Sequence, residues 1–216
     1  MKSNAFCSWS GGKDSCFALH RASLNPEIEV KYLVNMVNKE GKIGHGLDPR
    51  VFEIQARALD LDIKQKEVTW DTYEKGFKET VGKLDVGHGV FGDIELEGHR
   101  EWVENVCSTL RIDPILPLWG EEPEELFKEF IEKHESVIIK IDSEKIERGW
   151  LGESLSEDFF EYLVENDLHP MGENGEYHTF VINGPLFKRS LKIDENKVED
   201  VEDRSDFILH FGVEEV

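Results

Sequence analysis

A short apolar strand, a pair of glycines and an amphipathic helix follow one another at the start of the chain. Ala5–Cys7 has the length and apolarity of a buried strand, and residues 16–22 have helical spacing. The stretch between them, Ser8-Trp-Ser-Gly-Gly-Lys-Asp-Ser15, is therefore predicted to form a strand-to-helix turn. Two successive glycines allow positive φ angles and close approach of a ligand, and the start of a helix attracts anions. With two serine hydroxyls and the ammonium of Lys13, the loop is predicted to bind phosphate; an ordinary turn in which Asp14 caps the helix is the alternative.

Strand-like and helix-like segments alternate through the first two-thirds of the chain. Strands are predicted at residues 5–7, 30–37, 61–68, 86–91, 115–118 and 136–141, and helices at 16–22, 49–59, 72–84, 95–110 and 123–133. This alternation predicts an α/β fold with a parallel sheet of about five strands and helices on both faces. Ligands of such sheets bind beyond the carboxyl ends of the strands. That edge should hold the Ser10 loop, the segment 35–45, Gly92-Asp93 and the turn after Leu118.

The pattern changes from about residue 144 onward. A helix is predicted at 156–166, and strand-like stretches lie at 178–182, 186–198 and 207–213. A turn-rich segment, residues 169–176, separates the helix from the first of these strands. We therefore expect two regions, an α/β domain at 1–143 and a smaller C-terminal α+β region at 144–216.

Composition narrows the classes of function. The chain has 216 residues and a formal net charge of −21, with 46 acidic and 25 basic side chains. This charge argues against general nucleic-acid binding and against a polybasic membrane anchor. Cys7, Cys16 and Cys107 are too few and too widely spaced for a disulfide framework or a metal knuckle, so reduced thiols in the cytoplasm are expected. No signal peptide and no run long enough to cross a bilayer is evident, and no membrane association is expected.

Four motifs, in order along the chain, carry a resemblance to a known family. Ser10-Gly-Gly-Lys-Asp-Ser15 lacks the Walker A spacing and resembles the PP-loop of the ATP pyrophosphatases. The other three motifs are His45-Gly46 ahead of Gln55-Ala-Arg-Ala-Leu59, Pro117-Leu-Trp119, and Gly172-Glu-Asn-Gly-Glu-Tyr-His-Thr179 followed by Gly184-Pro-Leu-Phe187. Together they resemble the diphthine–ammonia ligase family, and the last motif is the most specific of the four.

The resemblance implies a fold and a reaction. The fold would be PP-loop or HUP-like, similar to the adenine nucleotide alpha hydrolases, and residues 1–143 would be the ATP-binding domain. The chain would be an ATP-dependent, AMP-forming ligase in which a carboxylate attacks the α-phosphorus of ATP, pyrophosphate leaves, and ammonia displaces AMP. In this family the reaction is the last step of diphthamide synthesis on elongation factor 2. The oligomeric state is left open, with a homodimer as the candidate assembly.

The same resemblance, together with the positions of the residues in the sequence, implies a set of site residues. Catalysis is assigned to Lys13, Asp14, Glu173 and Glu176. Nucleotide binding is assigned to Ser10, Gly11, Gly12, Lys13, Asp14, Ser15, Asn35, Met36, His45 and Gly92, and substrate binding to Asp93, Trp119, Asn174, Gly175, His178 and Thr179. Mg²⁺ needs only one or two carboxylates beside phosphate oxygens, which makes Asp14 the predicted ligand and Asp93 a further candidate.

Simpler roles remain open for several of these residues. Asp14 could cap a helix, Asp93 could be a turn residue, and Met36 and Trp119 could be packing residues. His45 could be a surface histidine or a residue that makes a turn hydrogen bond. Glu173 and Glu176 could be solvated loop carboxylates in an acidic protein, although the family motif favours a role at the acyl end of the substrate, in binding ammonium or accepting a proton from ammonia.

One departure from the family pattern bears on the substrate. The family usually has Gly-Ala-Ile and then Tyr-Gln-Arg after the fourth strand, whereas this chain has Gly92-Asp-Ile94 and then Glu97-Gly-His-Arg-Glu-Trp102. This resembles a sister branch that also occurs in organisms without diphthamide. Two alternatives therefore stay open: the same chemistry on a small-molecule carboxylate, and a protein that binds ATP or AMP without turnover.

Overall fold

The structure, a computed structural model, describes residues 2–38, 47–203 and 206–216. These residues contain nine strands and six α-helices. In chain order they are β1 Ser3–Ser8, α1 Lys13–Ser23, β2 Ile28–Asn38, α2 Pro49–Leu59, β3 Asp62–Val68, α3 Tyr73–Val81, β4 His88–Val90, α4 Glu97–Leu110, β5 Asp113–Ile115, α5 Pro123–Lys133, β6 Glu135–Asp142, α6 Glu157–Glu165, β7 Tyr177–Asn183, β8 Leu191–Asp203 and β9 Asp206–Glu215. No helix of this described part is both long and apolar enough to reach across a lipid bilayer.

The chain forms two compact units. The first, here the parallel-sheet unit, consists of Met1–Ser10, Asp14–Pro49 and Asp60–Gly120. The second, the antiparallel-sheet unit, consists of Gly11–Lys13, Arg50–Leu59 and Glu121–Val216. The stretch Ser10–Ser15, which is predicted to bind phosphate and is here called the phosphate-loop sequence, is thus divided between the units. Ser10, Asp14 and Ser15 belong to the first unit, and Gly11–Lys13 belongs to the second.

The parallel-sheet unit has strand order β3-β2-β1-β4-β5, and all its neighbouring strands run parallel. On one face, Phe6 packs against Phe77 of α3 and against Phe91, with ring centroids 5.8 and 5.7 Å away. Helix α4 covers the same face through Val103. On the opposite face, the thiol of Cys7 donates to the carbonyl of Ser15 in α1 at 3.6 Å. The prediction of a five-stranded parallel sheet with helices on both faces is therefore confirmed.

The antiparallel-sheet unit has strand order β7-β6-β9-β8. Phe180 of β7 is fully buried in its core. Its ring packs edge-on against Phe211 at 5.2 Å and at a tilt against Phe52 of α2 at 6.3 Å. Helix α6 begins at an N-cap, Ser156, whose side chain accepts a hydrogen bond from the N–H of Phe159. Strand β7 lies at one end of the strand order, so one of its backbone edges faces away from β6.

The strand at residues 136–141 belongs to a different sheet from the one the sequence suggested. It was expected to continue the strand–helix alternation, but β6 pairs antiparallel with β7 and β9. β6 accordingly falls in the antiparallel-sheet unit, whose last segment is Glu121–Val216. The physical reason is that β6 is buried on both faces, as a central strand of a parallel sheet would be. The periodicity of its apolar residues alone does not show whether such a strand belongs to a parallel or an antiparallel sheet. The domain boundary at 143–144 stays a prediction.

Candidate functional site

Gly11–Lys13, a segment of the phosphate-loop sequence, lies along the edge of β7. The carbonyl of Gly11 accepts hydrogen bonds from the Val181 N–H and from Nε2 of Gln55, each at 3.0 Å. Two positions later, the Lys13 N–H donates to Oγ1 of Thr179 at 3.0 Å. Gly11 has a φ of +75°, which glycine adopts without steric cost. The loop backbone is therefore anchored to the strand that ends the Gly172–Thr179 motif.

The side chain of Lys13 is held on the same strand. Lys13 is only 3% exposed, and its Nζ lies 4.8 Å from the centroid of the Tyr177 ring. Tyr177 and Thr179 are two residues apart in β7 and so face the same side. The Tyr177 hydroxyl donates to the carbonyl of Pro170, which fixes the ring. The contact with the ring face stabilises the ammonium, and β7 sets where that charge lies.

Ser10, Asp14 and Ser15 lie in the parallel-sheet unit, beyond the end of β1. The two serine hydroxyls are 3.1 Å apart, and the Ser10 N–H donates to Oγ of Ser15 at 3.4 Å. The N–H groups of Ser10 and Lys13 thus donate to hydroxyls in this structure. An incoming anion would have to use other donors of the loop or replace these hydroxyls.

Gly92 follows β4 and lies against the start of α1. A Cβ atom at Gly92 would lie 2.7 Å from both the carbonyl carbon and the carbonyl oxygen of Asp14, and 2.9 Å from the nitrogen of Ser15. Real Cβ atoms do not approach backbone that closely, so only glycine fits here. Gly92 thereby lets the β4 end and the phosphate-loop helix meet within the parallel-sheet unit.

Asp93 is the next residue, and its carboxylate lies 3.3 Å from Nδ1 of His99. Burial raises the pKa of Asp93, the neighbouring His99 lowers it, and the negative charge of Asp14 raises it further. Asp14 and Asp93 are therefore close enough to interact electrostatically. Two such carboxylates suit Mg²⁺ bound together with phosphate oxygens. The described residues contain no cluster of three or more His, Cys, Asp or Glu side chains that could hold a metal without phosphate.

Asn35 and Met36, which are predicted to contact adenosine, have side chains that contact other residues of the protein. Asn35 is 5% exposed; its Nδ2 donates to the Trp9 carbonyl at 2.8 Å, and its Oδ1 accepts from Gln65 at 3.1 Å. It thus links the residue just after β1 to β2 and β3. The side chain of Met36 packs against the core cluster that contains Phe77. A contact between adenine and the backbone of Asn35 and Met36 stays a prediction, and His45 lies outside the described residues.

Trp119 lies in the turn after β5, in the parallel-sheet unit. Its half-buried ring faces the guanidinium of Arg100, whose central carbon is 5.1 Å from the ring centroid. The N–H of Gly120 donates to the carbonyl of Ile94 at 2.9 Å and ties the turn after β5 to the turn after β4. The packing role and the pocket-wall role that the sequence left open are both compatible with this position.

The turn from Gly172 to Glu176 uses both of its glycines in the left-handed region, at φ +66° and +78°. Glu176 is 3% exposed, and its Oε2 accepts from the Asn174 N–H at 3.0 Å. Its carboxylate therefore shapes the turn. Glu173 is half-buried, whereas Asn174 and Gly175 are exposed. The turn thus presents an accessible tip above a buried, hydrogen-bonded carboxylate.

His178 and Thr179 follow this turn in β7, and they differ in what they contact. Thr179 is buried and bonds the Lys13 N–H, so it holds the phosphate-loop sequence. His178 is half-buried and points to the opposite face of the strand. Substrate binding by His178 stays a prediction.

Gln55 is the residue that the sequence analysis missed. It is fully buried, and its Nε2 donates to the carbonyls of both Gly11 and Val181, at 3.0 and 2.8 Å. It was interpreted only as part of the amphipathic stripe of α2 and of a family motif. The signal that could have found it is a glutamine on an otherwise apolar helix face, because a buried amide requires hydrogen-bond partners.

The cysteines have no sign of catalytic activation. Cys7, Cys16 and Cys107 are free and buried. Burial raises the pKa of Cys16 to about 12 and that of Cys107 to about 11, and it raises that of Cys7 as well. Since the thiolate is the reactive form, these side chains are packing residues at neutral pH.

Comparison with known proteins identifies the family. The diphthamide synthase N-terminal domain matches residues 1–114, and the diphthamide synthase C-terminal domain matches residues 122–210. The diphthine–ammonia ligase of Schizosaccharomyces pombe is 30% identical over 218 residues, which cover 88% of this chain and 36% of that protein. The diphthine–ammonia ligase of Rattus norvegicus is 28% identical over 222 residues, covering 86% of this chain and 80% of the rat protein. The chain thus spans about a third of the length of the yeast relative and most of the rat one.

A solved structure also resembles the chain. It is titled as the crystal structure of a predicted subunit of tRNA methyltransferase from Methanocaldococcus jannaschii, and it covers 85% of this chain and all of its own. The TM-score is 0.44 and the sequence identity 16%, a likeness too low to support an argument. The assignment therefore rests on the two domain matches and on the sequence relatives. The chain belongs to the diphthamide synthase family, both of whose domains it matches in order, and the resemblance predicted from its motifs is confirmed.

Proposed function

We propose that the chain is an ATP-dependent, AMP-forming amide ligase of the diphthine–ammonia ligase type. The observation that carries this proposal is the meeting of two motifs at Lys13. The Lys13 N–H is bonded to Thr179, 166 positions further along the chain, and its ammonium lies over Tyr177. A lysine of a glycine-rich loop is thereby held in place by the most specific motif of the family. The names of the sequence relatives support the same reaction.

The first half of the reaction is the activation of a carboxylate. The carboxylate oxygen attacks the α-phosphorus of ATP, the bond between the α-phosphorus and the bridging oxygen breaks, and pyrophosphate leaves. Lys13 would neutralise charge on that leaving group, because a fixed ammonium in a buried setting stabilises developing negative charge. Such a local charge is needed since the protein as a whole carries a formal charge of −21. Asp14 and Asp93 would hold Mg²⁺, which supplies further charge neutralisation at the phosphates.

The second half is the attack of ammonia on the acyl carbon, with AMP as the leaving group. Glu176 would hold the turn through the Asn174 N–H, and Glu173 would accept the proton that ammonia loses. Asn174, Gly175 and His178 would contact the acyl end of the substrate. In the parallel-sheet unit, Asp93 and Trp119 would line the acyl side, and the backbone of Asn35 and Met36, with His45, would contact adenosine.

The acyl substrate has two candidates. One is elongation factor 2 carrying diphthine, as the names of the relatives suggest. The other is a small-molecule carboxylate, and one observation favours it. Asp93 and His99 stand where this chain departs from the usual family pattern, and their side chains lie 3.3 Å apart. Because these two residues that differ from the family pattern are in contact, they would alter one local surface together, as expected for a different acyl group.

The three free thiols suit a protein of the reducing cytoplasm. Light scattering would test whether the chain forms a homodimer.

The test is AMP and pyrophosphate release with ammonium and either diphthine-bearing elongation factor 2 or a panel of carboxylates. Lys13→Ala should reduce pyrophosphate release by about 100-fold or more while circular dichroism stays unchanged. Lys75→Ala removes the same charge from an exposed side chain of α3 and should behave like the wild type. Unchanged turnover in Lys13→Ala would reject the role of the loop. Nucleotide binding without release of AMP on any substrate would instead indicate a non-catalytic binder.

Glu176→Gln tests the second half of the reaction. The glutamine oxygen can still accept from the Asn174 N–H, so the turn and ATP binding should be retained. Removing the negative charge of Glu176 from the turn that carries Glu173 should slow amide formation without slowing pyrophosphate release. Loss of nucleotide binding in this variant would contradict the proposal that the turn lies at the acyl end of the substrate.

A further inference from the structure

We propose that Gln55 is a positioning residue that orients the Gly11–Gly12 peptide and thereby sets the affinity of the protein for the phosphate tail of ATP. This inference rests on the proposed function, because it assumes that the loop binds that tail. All groups involved, Gln55, Gly11–Lys13 and β7, lie in the antiparallel-sheet unit.

The geometry fixes one peptide unit from two sides. The Gly11 carbonyl receives the Val181 N–H and one hydrogen of Gln55 Nε2, which fills both of its acceptor positions. The second hydrogen of Nε2 goes to the Val181 carbonyl at 2.8 Å. The primary amide of Gln55 therefore joins the loop to β7 in the way that a neighbouring strand would. Removing it takes one of two donors from the Gly11 carbonyl and takes the Gln55 donor from the Val181 carbonyl.

The orientation of the carbonyl determines the direction of the next N–H. In a trans peptide the C=O and N–H bonds point in opposite directions. With the Gly11 carbonyl directed at Val181 and Gln55, the Gly12 N–H is directed away from β7. The Gly12 N–H belongs to the same peptide unit as the Gly11 carbonyl, so Gln55 controls the direction of this donor.

The position of the Gln55 side chain depends on the absence of a side chain at Gly11. A Cβ atom at Gly11 would lie 2.8 Å from Oε1 of Gln55 and 2.8 Å from the ring of Phe52. The glycine thus provides the room that the glutamine occupies, and the glutamine fixes the peptide that the glycine leaves flexible.

Nucleotide affinities distinguish a positioning role of Gln55 from a purely stabilising one. If Gln55 only stabilised the fold, its removal would weaken the binding of all nucleotides alike. If it positions the loop, its removal should weaken the binding of ATP and spare that of AMP, which lacks the two outer phosphates.

The experiment compares ATP and AMP binding by calorimetry in the wild type, Gln55→Glu and Gln55→Leu. Both variants should bind ATP about tenfold more weakly or worse, and AMP within about twofold of the wild type. Ser156→Ala, which removes an N-cap of the same unit far from the loop in sequence, is the control for lost stability and should keep the wild-type ratio of the two affinities. Equal losses for ATP and AMP, or none, would overturn the proposal. A wild type that binds no ATP would instead reject the proposed function.

Gln55→Glu offers a second, pH-dependent readout. Its carboxyl would face two carbonyl oxygens in a buried position, which raises the pKa of such a group. The protonated carboxyl can donate to one of them. ATP affinity relative to the wild type at the same pH should therefore recover in Gln55→Glu as the pH falls from about 8 to about 5, while Gln55→Leu should show no recovery.

A measurement on the unmodified protein covers the case in which the variants do not fold. In ¹⁵N-labelled wild type, the amide resonance of Gly12 should shift on addition of ATP and stay in place on addition of AMP. A Gly12 amide that responds to neither nucleotide, in a protein that binds ATP, would also overturn the proposal.

Discussion

Gly92→Ala should destabilise the parallel-sheet unit and weaken ATP binding, although it adds a single methyl group. The new Cβ would lie 2.7 Å from the carbonyl carbon and oxygen of Asp14 and 2.9 Å from the nitrogen of Ser15. These are backbone atoms at the start of α1, so no side-chain rotation relieves the overlap. Overpacking of this kind costs about 1–3 kcal/mol, and we expect a value near the upper limit, about 3 kcal/mol, because a helix start must move. That corresponds to a fall in melting temperature of roughly 6–12 °C.

Gly98→Ala is the matched control for this prediction. Gly98 lies in the first turn of α4 in the same unit, and a Cβ there would meet nothing within 4 Å. The same substitution should leave stability unchanged or raise it by about 0.5 kcal/mol, because alanine favours the helix. Urea unfolding and ATP calorimetry on both variants check the pair. The reasoning fails if Gly92→Ala unfolds at the wild-type urea concentration and binds ATP with wild-type affinity.

Two further variants test other parts of the structure. Burial raises the pKa of Asp93 above its ordinary value of 3.8, so the stability this residue contributes is present at acid pH and is lost as the pH rises through its folded-state pKa. Asp93→Asn should therefore gain stability over the wild type on going from about pH 4 to about pH 7 in urea unfolding, and a gain that shrinks with pH would contradict this. Ser156→Ala removes the hydroxyl that accepts the Phe159 N–H and should cost about 1 kcal/mol in the same assay. An unchanged unfolding midpoint would show that the N-cap contributes nothing.

Local patterns were enough to predict most of the parallel-sheet unit. The apolar run around Phe6 and the glycine pair after it identified β1 and the loop, since short-range chemistry determines a strand-to-helix turn. The Asp48-Pro49 signal predicted the start of α2 correctly. Element ends were less well predicted: the helix expected at 72–84 is Tyr73–Val81, and the strand expected from 186 begins at Leu191. Ends depend on individual hydrogen bonds, which composition does not specify.

What the sequence could not provide is which distant segments meet. The residues of β6 form an apolar run that suits either sheet, and only its pairing with β7 and β9 decides the matter. Likewise, Lys13 and Glu176 were predicted as site residues from separate motifs, but the bond from Lys13 to Thr179 is a tertiary contact. The bond of Gln55 to Gly11 is another, so the residue that orients the loop had no local signature beyond its polarity.

The contacts made by Gly11 and Gln55 also bear on the open edge of the antiparallel sheet. β7 ends its sheet, and the N–H and C=O of Val181 on its outer side would otherwise be available to pair with a strand of another molecule. In this chain, one loop carbonyl and one side-chain amide occupy both groups. The segment proposed to bind nucleotide therefore also covers part of a sheet edge that could otherwise pair with another chain. Solubility and ligand affinity would be selected together at these two positions, and a substitution that weakens one should also weaken the other.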